Sequence, residues 1–385
     1  MKNRVMNIVL SASLLLSMTA CGGENNTSED TQSGSAAQDT TSLAASSADY
    51  EKKRVTVDGT SFKVDGKELW INGVNTPWQN WNDFGGNFDE SFWDNHFAEL
   101  HEAGVNATRI WVNCNGMSIV RLRTDGTVQA VDEQHWTDLY KLFELAEKHD
   151  IYIMATLLSF DHFKDGNTGC DKFRTMISDD TATQSYIDSY VIPFVERYGN
   201  SPSLWSIDLM NEPDWVHENA ECGKVGWEQL STFFAKCSAA IHENSDELVT
   251  VGLGMVKYNS DKYEGNYVSD EFLKSLGGEN AYLDFYSTHY YFWQNSYMGY
   301  PFEQSPVSFG LDGTKPCVIG EAAVKSESGR TSEEDYENAY NNGWNGVMAW
   351  TSNGVDDCGS LTELMPAVTK MRDMIKDKIF PLGDN

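Results

Sequence analysis

Two glutamates in this chain stand where a carboxyl group can do chemistry. Leu204-Trp205-Ser206-Ile207-Asp208-Leu209 is an apolar-rich run of strand type that leads into Met210-Asn211-Glu212-Pro213. The proline stops the strand and leaves Glu212 at its tip, with the Asn211 amide beside it free to bond a ligand. Lys315-Pro316-Cys317-Val318-Ile319-Gly320 ends in the same manner, in Glu321. A single strand-tip acid is either a satisfied structural carboxylate or a reactive group. Two that face each other can share a displacement: one attacks as a nucleophile, and the other protonates the leaving oxygen and later activates water. At a glycosidic carbon, a separation of about 5–5.5 Å gives retention and ~6.5–9.5 Å gives inversion.

Opposing the two acids requires elements that bring both strand tips to one face. From Leu69 onward the sequence alternates strand and helix patterns. Strands are expected at Leu69–Asn75, Val105–Val112, Ile151–Leu158, Leu204–Asn211, Leu248–Gly254, Leu283–His289, Cys317–Glu321 and Gly346–Trp350. Helices are expected at Ser91–Ala103, Glu133–His149, Thr183–Tyr198, Gly226–Asn244, Asp270–Leu276, Ser332–Asn341 and Leu361–Ile375, with a weaker helical pattern over Pro301–Leu311. Parallel strands need helical crossovers, so the pattern predicts a closed (β/α)₈ barrel. Loops from helix to strand are short, while loops from strand to helix, such as Asn113–Asp132 and Ser159–Ala182, are long. The long set builds the active face of such barrels, where Glu212 and Glu321 both end. No glycine-rich nucleotide turn follows the first strand. Ahead of it, Val55–Val57 and Phe62–Val64 with Asp-Gly turns read as a short hairpin.

The same face collects further groups. Val105-Asn106-Ala107-Thr108-Arg109 brings an arginine to the mouth, where it would hold a neighbouring carboxylate ionised. His289 and Tyr291 share one side of the sixth strand by period-two alternation. Trp350 ends the eighth strand, and Trp78 and Trp81 lie in the first long loop. Sugar rings stack their C–H faces on aromatic rings, so mouth tryptophans fit a polysaccharide cleft.

These motifs, in this order, resemble glycoside hydrolase family 5, the cellulase and β-mannanase family, over roughly residues 69–375. The resemblance rests on Gly73-Val74-Asn75, Asn106 to Arg109, Asn211-Glu212-Pro213, His289-x-Tyr291, Gly320-Glu321 and Trp350. It implies Glu212 as acid/base and Glu321 as nucleophile, Asn211 on the sugar's 2-hydroxyl, and Arg109 and Tyr291 on the nucleophile. It further implies His289 near substrate or the acid/base and Trp350 as the floor under the reacting sugar. Many members carry Asp-x-His or Trp-His after the third strand. Here Ser159-Phe160-Asp161-His162-Phe163 has Asp and His adjacent, so His162 is either a substrate contact or part of an Asp/His pair bracing the loop.

The amino terminus reads as a processing segment. Met1-Lys2-Asn3-Arg4 and the apolar run to Ala20 form a signal peptide over 1–20, and Leu16 to Gly22 resembles a bacterial lipoprotein site with Cys21 lipidated. Residues 21–49 then form a polar tether to a catalytic domain over 50–385, placing the protein on the bacterial surface or secreted. Cys114, Cys170, Cys222, Cys237, Cys317 and Cys358 show no zinc spacing; Cys170 with Cys222 is a plausible loop-to-loop disulfide, and Cys237 and Cys317 read as packed core.

A net charge of −30 argues against nucleic acid and an anionic membrane as partners of the folded part. No cofactor motif is present, and Asp161, His162 and His289 are too few for a metal hydrolase. A monomer is expected. The leading function is a retaining endo-β-1,4-glycan hydrolase, with β-mannan or glucomannan slightly favoured over β-glucan. The sixth strand's Asp284-Phe285, His289, Tyr291 and Trp293 are similar to β-mannanases, and Gly73-Val74-Asn75-Thr76-Pro77-Trp78 to cellulases. The alternative from another class is a non-catalytic sugar-binding lipoprotein.

Overall fold

The computed structural model describes residues 53–325 and 329–383, so the signal segment, Cys21 and the tether expected before Tyr50 lie outside the described residues. Eight parallel strands close into a barrel, numbered here β1 (Ile71–Asn75), β2 (Ala107–Trp111), β3 (Tyr152–Thr156), β4 (Leu204–Asn211), β5 (Leu248–Leu253), β6 (Tyr286–Tyr290), β7 (Cys317–Ala322) and β8 (Gly346–Trp350). They pair in sequence order around the ring, and β8 returns to β1 with Trp350 beside Asn75. All residues of β4 are buried, because its side chains face either the barrel interior or the helical ring.

The helices lie where hydrophobic periodicity places them, with three differences of physical interest. The expected helix Thr183–Tyr198 is divided into Asp180–Tyr186, a wide π turn at Ile187–Val191, and Ile192–Tyr198. The turn widens just ahead of Pro193, which has no N–H to donate. Pro301–Leu311 contains only two short turns, Pro301–Glu303 and Pro306–Phe309, because the residue before Pro306 is biased to extended backbone. The long loop after β3 holds an unforeseen helix, Cys170–Ser178, which buries Phe173, Met176 and Ile177.

A three-stranded antiparallel sheet, Val55–Asp58, Ser61–Val64 and Lys67–Leu69, closes the barrel at the end opposite the long loops. The sequence pattern foresaw the first two strands, and the Asp65-Gly66 turn that adds the third has positive φ at both residues (51° and 76°). Phe62 of this sheet plugs the barrel floor, edge-on to Trp205 and Phe285 with ring centroids at 5.4 and 5.2 Å. The carboxyl-terminal segment meets the same floor, where Lys67 Nζ donates to the Pro381 carbonyl at 2.8 Å and Leu382 packs against the floor cluster.

Cys237 and Cys317 are buried in elements, as core residues. Cys170 and Cys222 are both free thiols, which corrects the expected disulfide; Arg174 instead ties their two loops, through hydrogen bonds to the Phe163 and Glu221 carbonyls and an ion pair with Asp165.

Candidate active site

The carboxyl ends of the strands surround a cleft of about 380 Å³. Its position follows from one backbone feature. A β-strand sends alternate side chains to opposite faces, so Asn211 and Glu212 would diverge if β4 simply continued. Glu212 instead adopts left-handed backbone (φ 49°, ψ 57°), after which Pro213 begins the helix Pro213–Glu218. Both side chains therefore line the cleft. Left-handed geometry costs a non-glycine residue about 1–2 kcal/mol, which the surrounding barrel must supply.

Glu212 and Glu321 converge on His289. Imidazole Nδ1 lies 3.0 Å from Glu212 Oε1 and 3.4 Å from Glu321 Oε1, and an oxygen of each carboxyl group lies within 4.8 Å of the other. Burial pushes the His289 pKa down to about 4, so the ring is neutral at pH 7. Two acceptors face Nδ1, while buried Nε2 has no hydrogen-bond partner among the described residues, which places the single proton on Nδ1. Gly252 makes room for the ring: a Cβ there would stand 2.9 Å from Nε2 and 3.0 Å from an Arg109 nitrogen.

The two acids have different neighbours. Glu321 accepts hydrogen bonds from Arg109 Nη1 at 2.6 Å and from the Tyr291 hydroxyl at 2.8 Å. Burial raises its pKa, against the opposing pull of His289, Arg109 and the Tyr291 bond. Burial also holds the Tyr291 phenol well above its usual range, so it remains a donor. Glu212 has no direct lysine or arginine partner among the described residues; Trp215 Nε1 donates to its Oε2 at 3.0 Å, and burial pushes its pKa up to about 7 despite the pull of Arg109. Of the pair, Glu321 is the one equipped to ionise first and Glu212 the one to keep a proton.

Arg109 is fully buried and anchors this arrangement. It also bonds Asp208 through Nε and Nη2, Asn75 Oδ1 at 3.1 Å and Asn211 Oδ1 at 2.8 Å. The last contact fixes the Asn211 amide with Nδ2 pointing away from Arg109. Trp350, Trp78 and Trp81 line the cleft together with Trp111, forming one aromatic wall in which Trp78 lies 4.7, 5.0 and 6.1 Å from the rings of Trp81, Trp111 and Trp350.

His162 departs from the expectation of a substrate contact. It is fully buried, edge-on to Phe173 at 4.8 Å, with Nδ1 engaged by the Ser159 backbone, and it does not line the cleft. The reason is local: Ser159 caps the short turn Phe160–Phe163, which rotates His162 inward and leaves Asp161 on the cleft side. Nor do Asp161 and His162 pair; both brace Ser159 instead.

Residues 62–357 match the family model described as Cellulase (glycosyl hydrolase family 5). The chain belongs to glycosyl hydrolase family 5. It is 28% identical to the mannan endo-1,4-beta-mannosidase of Mytilus edulis, with 78% of this chain and 89% of the relative covered, and 25% identical to that of Cryptopygus antarcticus, with 80% and 87% covered. The crystal structure of the blue mussel β-mannanase superposes with a TM-score of 0.74 at 26% identity, covering 84% of this chain and 97% of that one. This family 5 protein is therefore a glycoside hydrolase, and the non-catalytic binding reading is set aside.

Several residues that build or support the cleft of this family 5 protein escaped sequence reading. Asp208 sits within an apolar strand, and a charge flanked by Ile207 and Leu209 was the available signal. Trp111 follows Arg109 by two residues and so shares its face at the end of β2. Trp215 lies three residues after Glu212 in the helix that Pro213 starts, one turn along. Asp356 comes from the loop after β8, where Trp350 Nε1 donates to its Oδ2 at 3.3 Å.

Proposed function

We propose that the protein is a retaining endo-β-1,4-mannanase in which Glu321 is the nucleophile and Glu212 the acid/base. The observation that carries the mechanism is the closeness of the two carboxyl groups, an oxygen of each within 4.8 Å of the other, which fits the ~5–5.5 Å spacing of retaining glycosidases better than the ~6.5–9.5 Å of inverting ones. The ionised Glu321 attacks the anomeric carbon while Glu212 gives its proton to the glycosidic oxygen, and the C–O bond breaks. The glycosyl ester so formed removes the negative charge of Glu321, and the Glu212 pKa falls accordingly. Glu212, now a carboxylate, takes a proton from the water that attacks the same carbon, expelling Glu321 and restoring the original anomeric configuration.

Arg109 and Tyr291 hold the Glu321 oxygens in place and stabilise the carboxylate both before attack and on release. Asn211 presents Nδ2 toward the 2-hydroxyl of the reacting sugar, and Trp350 supports its apolar face. The choice of mannan is supported by the relatives, two of which act on mannan according to their names and match over four-fifths or so of this chain. Reducing-sugar release from β-mannan, carboxymethylcellulose and xyloglucan tests it. Mannan should be cleaved fastest, and faster cleavage of carboxymethylcellulose would assign the enzyme to β-glucan. Proton NMR of the first product should show the β-anomer.

Lipidation at Cys21 and display on the bacterial surface are part of the same proposal, supported by the basic start, the apolar run and the cysteine that ends it. Cys21→Ser should move the enzyme from the membrane to the soluble fraction. Retention in the membrane would overturn it.

A further inference from the structure

Asp161 is a carboxylate in the cleft wall that the two-glutamate mechanism does not use. Its Oδ2 accepts the Ser159 hydroxyl at 2.8 Å, and no hydrogen bond from the described residues reaches Oδ1. The Ser159 Oγ is fully committed, since it donates to Asp161 and lies within reach of the Asp161 N–H at 3.3 Å and Asn211 Nδ2 at 3.5 Å. Asp161 is thereby held rigidly with one oxygen left over, and no lysine or arginine lines the cleft to claim it.

The position of Asp161 relative to the bond that breaks follows from its neighbours. Phe160, adjacent in the chain, lies 6.5 Å from Trp215, and Trp215 holds the Glu212 oxygen. Phe160, Asp161 and Trp215 line the cleft together with the proton donor, and the charge of Glu212 acts on the Asp161 carboxyl group. The group beside the proton donor is the leaving sugar. The tryptophans around Trp350 line the same cleft from the ends of β1, β2 and β8, under the sugar that remains on the enzyme.

We infer that Asp161 is a specificity-determining residue that binds a hydroxyl of the leaving sugar through its remaining oxygen, with Phe160 and Trp215 providing the apolar walls around it. The inference rests on the hydrolase reading above and deepens it. A charged acceptor distinguishes a sugar leaving group from one without hydroxyls, and this difference supplies the test.

Asp161→Ala and Asp161→Asn are compared with wild type on two substrates, mannopentaose and a 4-nitrophenyl β-1,4-mannooligoside, whose aryl leaving group carries no hydroxyl. On mannopentaose, Asp161→Ala should lose about ten- to a hundredfold in kcat/KM, the range of a hydrogen bond to a charged group. Asp161→Asn should lose less, because a neutral acceptor retains part of the bond. On the aryl substrate both variants should stay within about twofold of wild type, which also verifies that they are folded and that Asn211 and Glu212 remain in place. Equal losses on both substrates would overturn the inference and make Asp161 a brace for Ser159 and Asn211. No loss on either would overturn it as well. A wild-type enzyme that cleaves neither substrate would overturn the mannanase reading itself, and this inference with it.

Discussion

Arg109 spends two donors on a single oxygen of Asp208, with Nε at 2.9 Å and Nη2 at 2.8 Å, and offers Nη1 to Glu321 at 2.6 Å. One buried cation thus serves two buried anions, and the group carries a net negative charge. Ionising Glu212 would add a second negative charge to the same dry space. Asp208 is therefore placed to do more than orient its partner, since it offsets the Arg109 charge that pulls on the Glu212 proton. Asp208→Asn should preserve the bonds to Arg109 and lower the Glu212 pKa, so the alkaline limb of kcat/KM should move down by about one pH unit. An unchanged alkaline limb would show that Asp208 only positions the guanidinium.

The pH profile of the wild type follows from the same groups. Glu212 must be protonated to donate, and its pKa is about 7, so kcat/KM should decline as pH rises through 7. On the acid side, protonation of Glu321 should stop attack. A bell-shaped profile measured on the free enzyme checks this. Glu212→Gln should remove the alkaline limb from whatever activity remains.

Substitution of the acids separates their roles. Glu212→Gln and Glu321→Gln should each lower turnover by about 10²-fold or more. Azide should rescue Glu321→Ala to an α-glycosyl azide, by direct attack on the substrate. It should rescue Glu212→Ala to a β-glycosyl azide, by attack on the glycosyl ester. Product NMR distinguishes the anomers, and identical anomers from both variants would refute the assignment.

Keeping Glu212 primed carries a cost in stability. Its pKa rises from 4.5 to about 7 on folding, so the folded protein holds this proton more tightly than the unfolded chain does. The penalty is absent below pH 4.5, grows up to pH 7 and is complete above it, where it amounts to about 3 kcal/mol. Glu212→Gln should therefore raise resistance to denaturant more at pH 8 than at pH 5. Urea unfolding at the two pH values measures the difference.

Trp81 is the most exposed member of the aromatic wall, at 40%. Trp81→Ala should leave stability nearly unchanged while raising KM for long mannan chains by about two- to tenfold, in line with the 0.5–1.5 kcal/mol of an aromatic contact. Titration with mannooligosaccharides of increasing length checks it.

The barrel and its two glutamates were legible in the sequence because strand-tip acids, short return loops and hydrophobic periodicity are local signals. Arg109, His289 and Tyr291 were legible for the same reason, each being two residues or fewer from a strand end. Asp208 was hidden within an apolar run, where a charge gains meaning only once Arg109, 99 residues away, is seen to meet it. His162 was ambiguous because neighbouring residues in a turn diverge, and only the Ser159 cap decides which of Asp161 and His162 faces the cleft. The left-handed backbone of Glu212 had no signal of its own, since glutamate is not a residue that favours it.

The sheet that plugs the barrel floor has a bearing on how the enzyme can be handled. Residues Lys53 and Arg54, whose groups meet Tyr152 and Gly199, and the segment around Pro381 all gather at that floor. Both ends of the described domain thus leave it on the side away from the sugar cleft. A fusion partner, a resin or a surface joined at either end would not have to cross the path of the polysaccharide, so immobilised enzyme should keep access to chains too long to diffuse into a crowded pore.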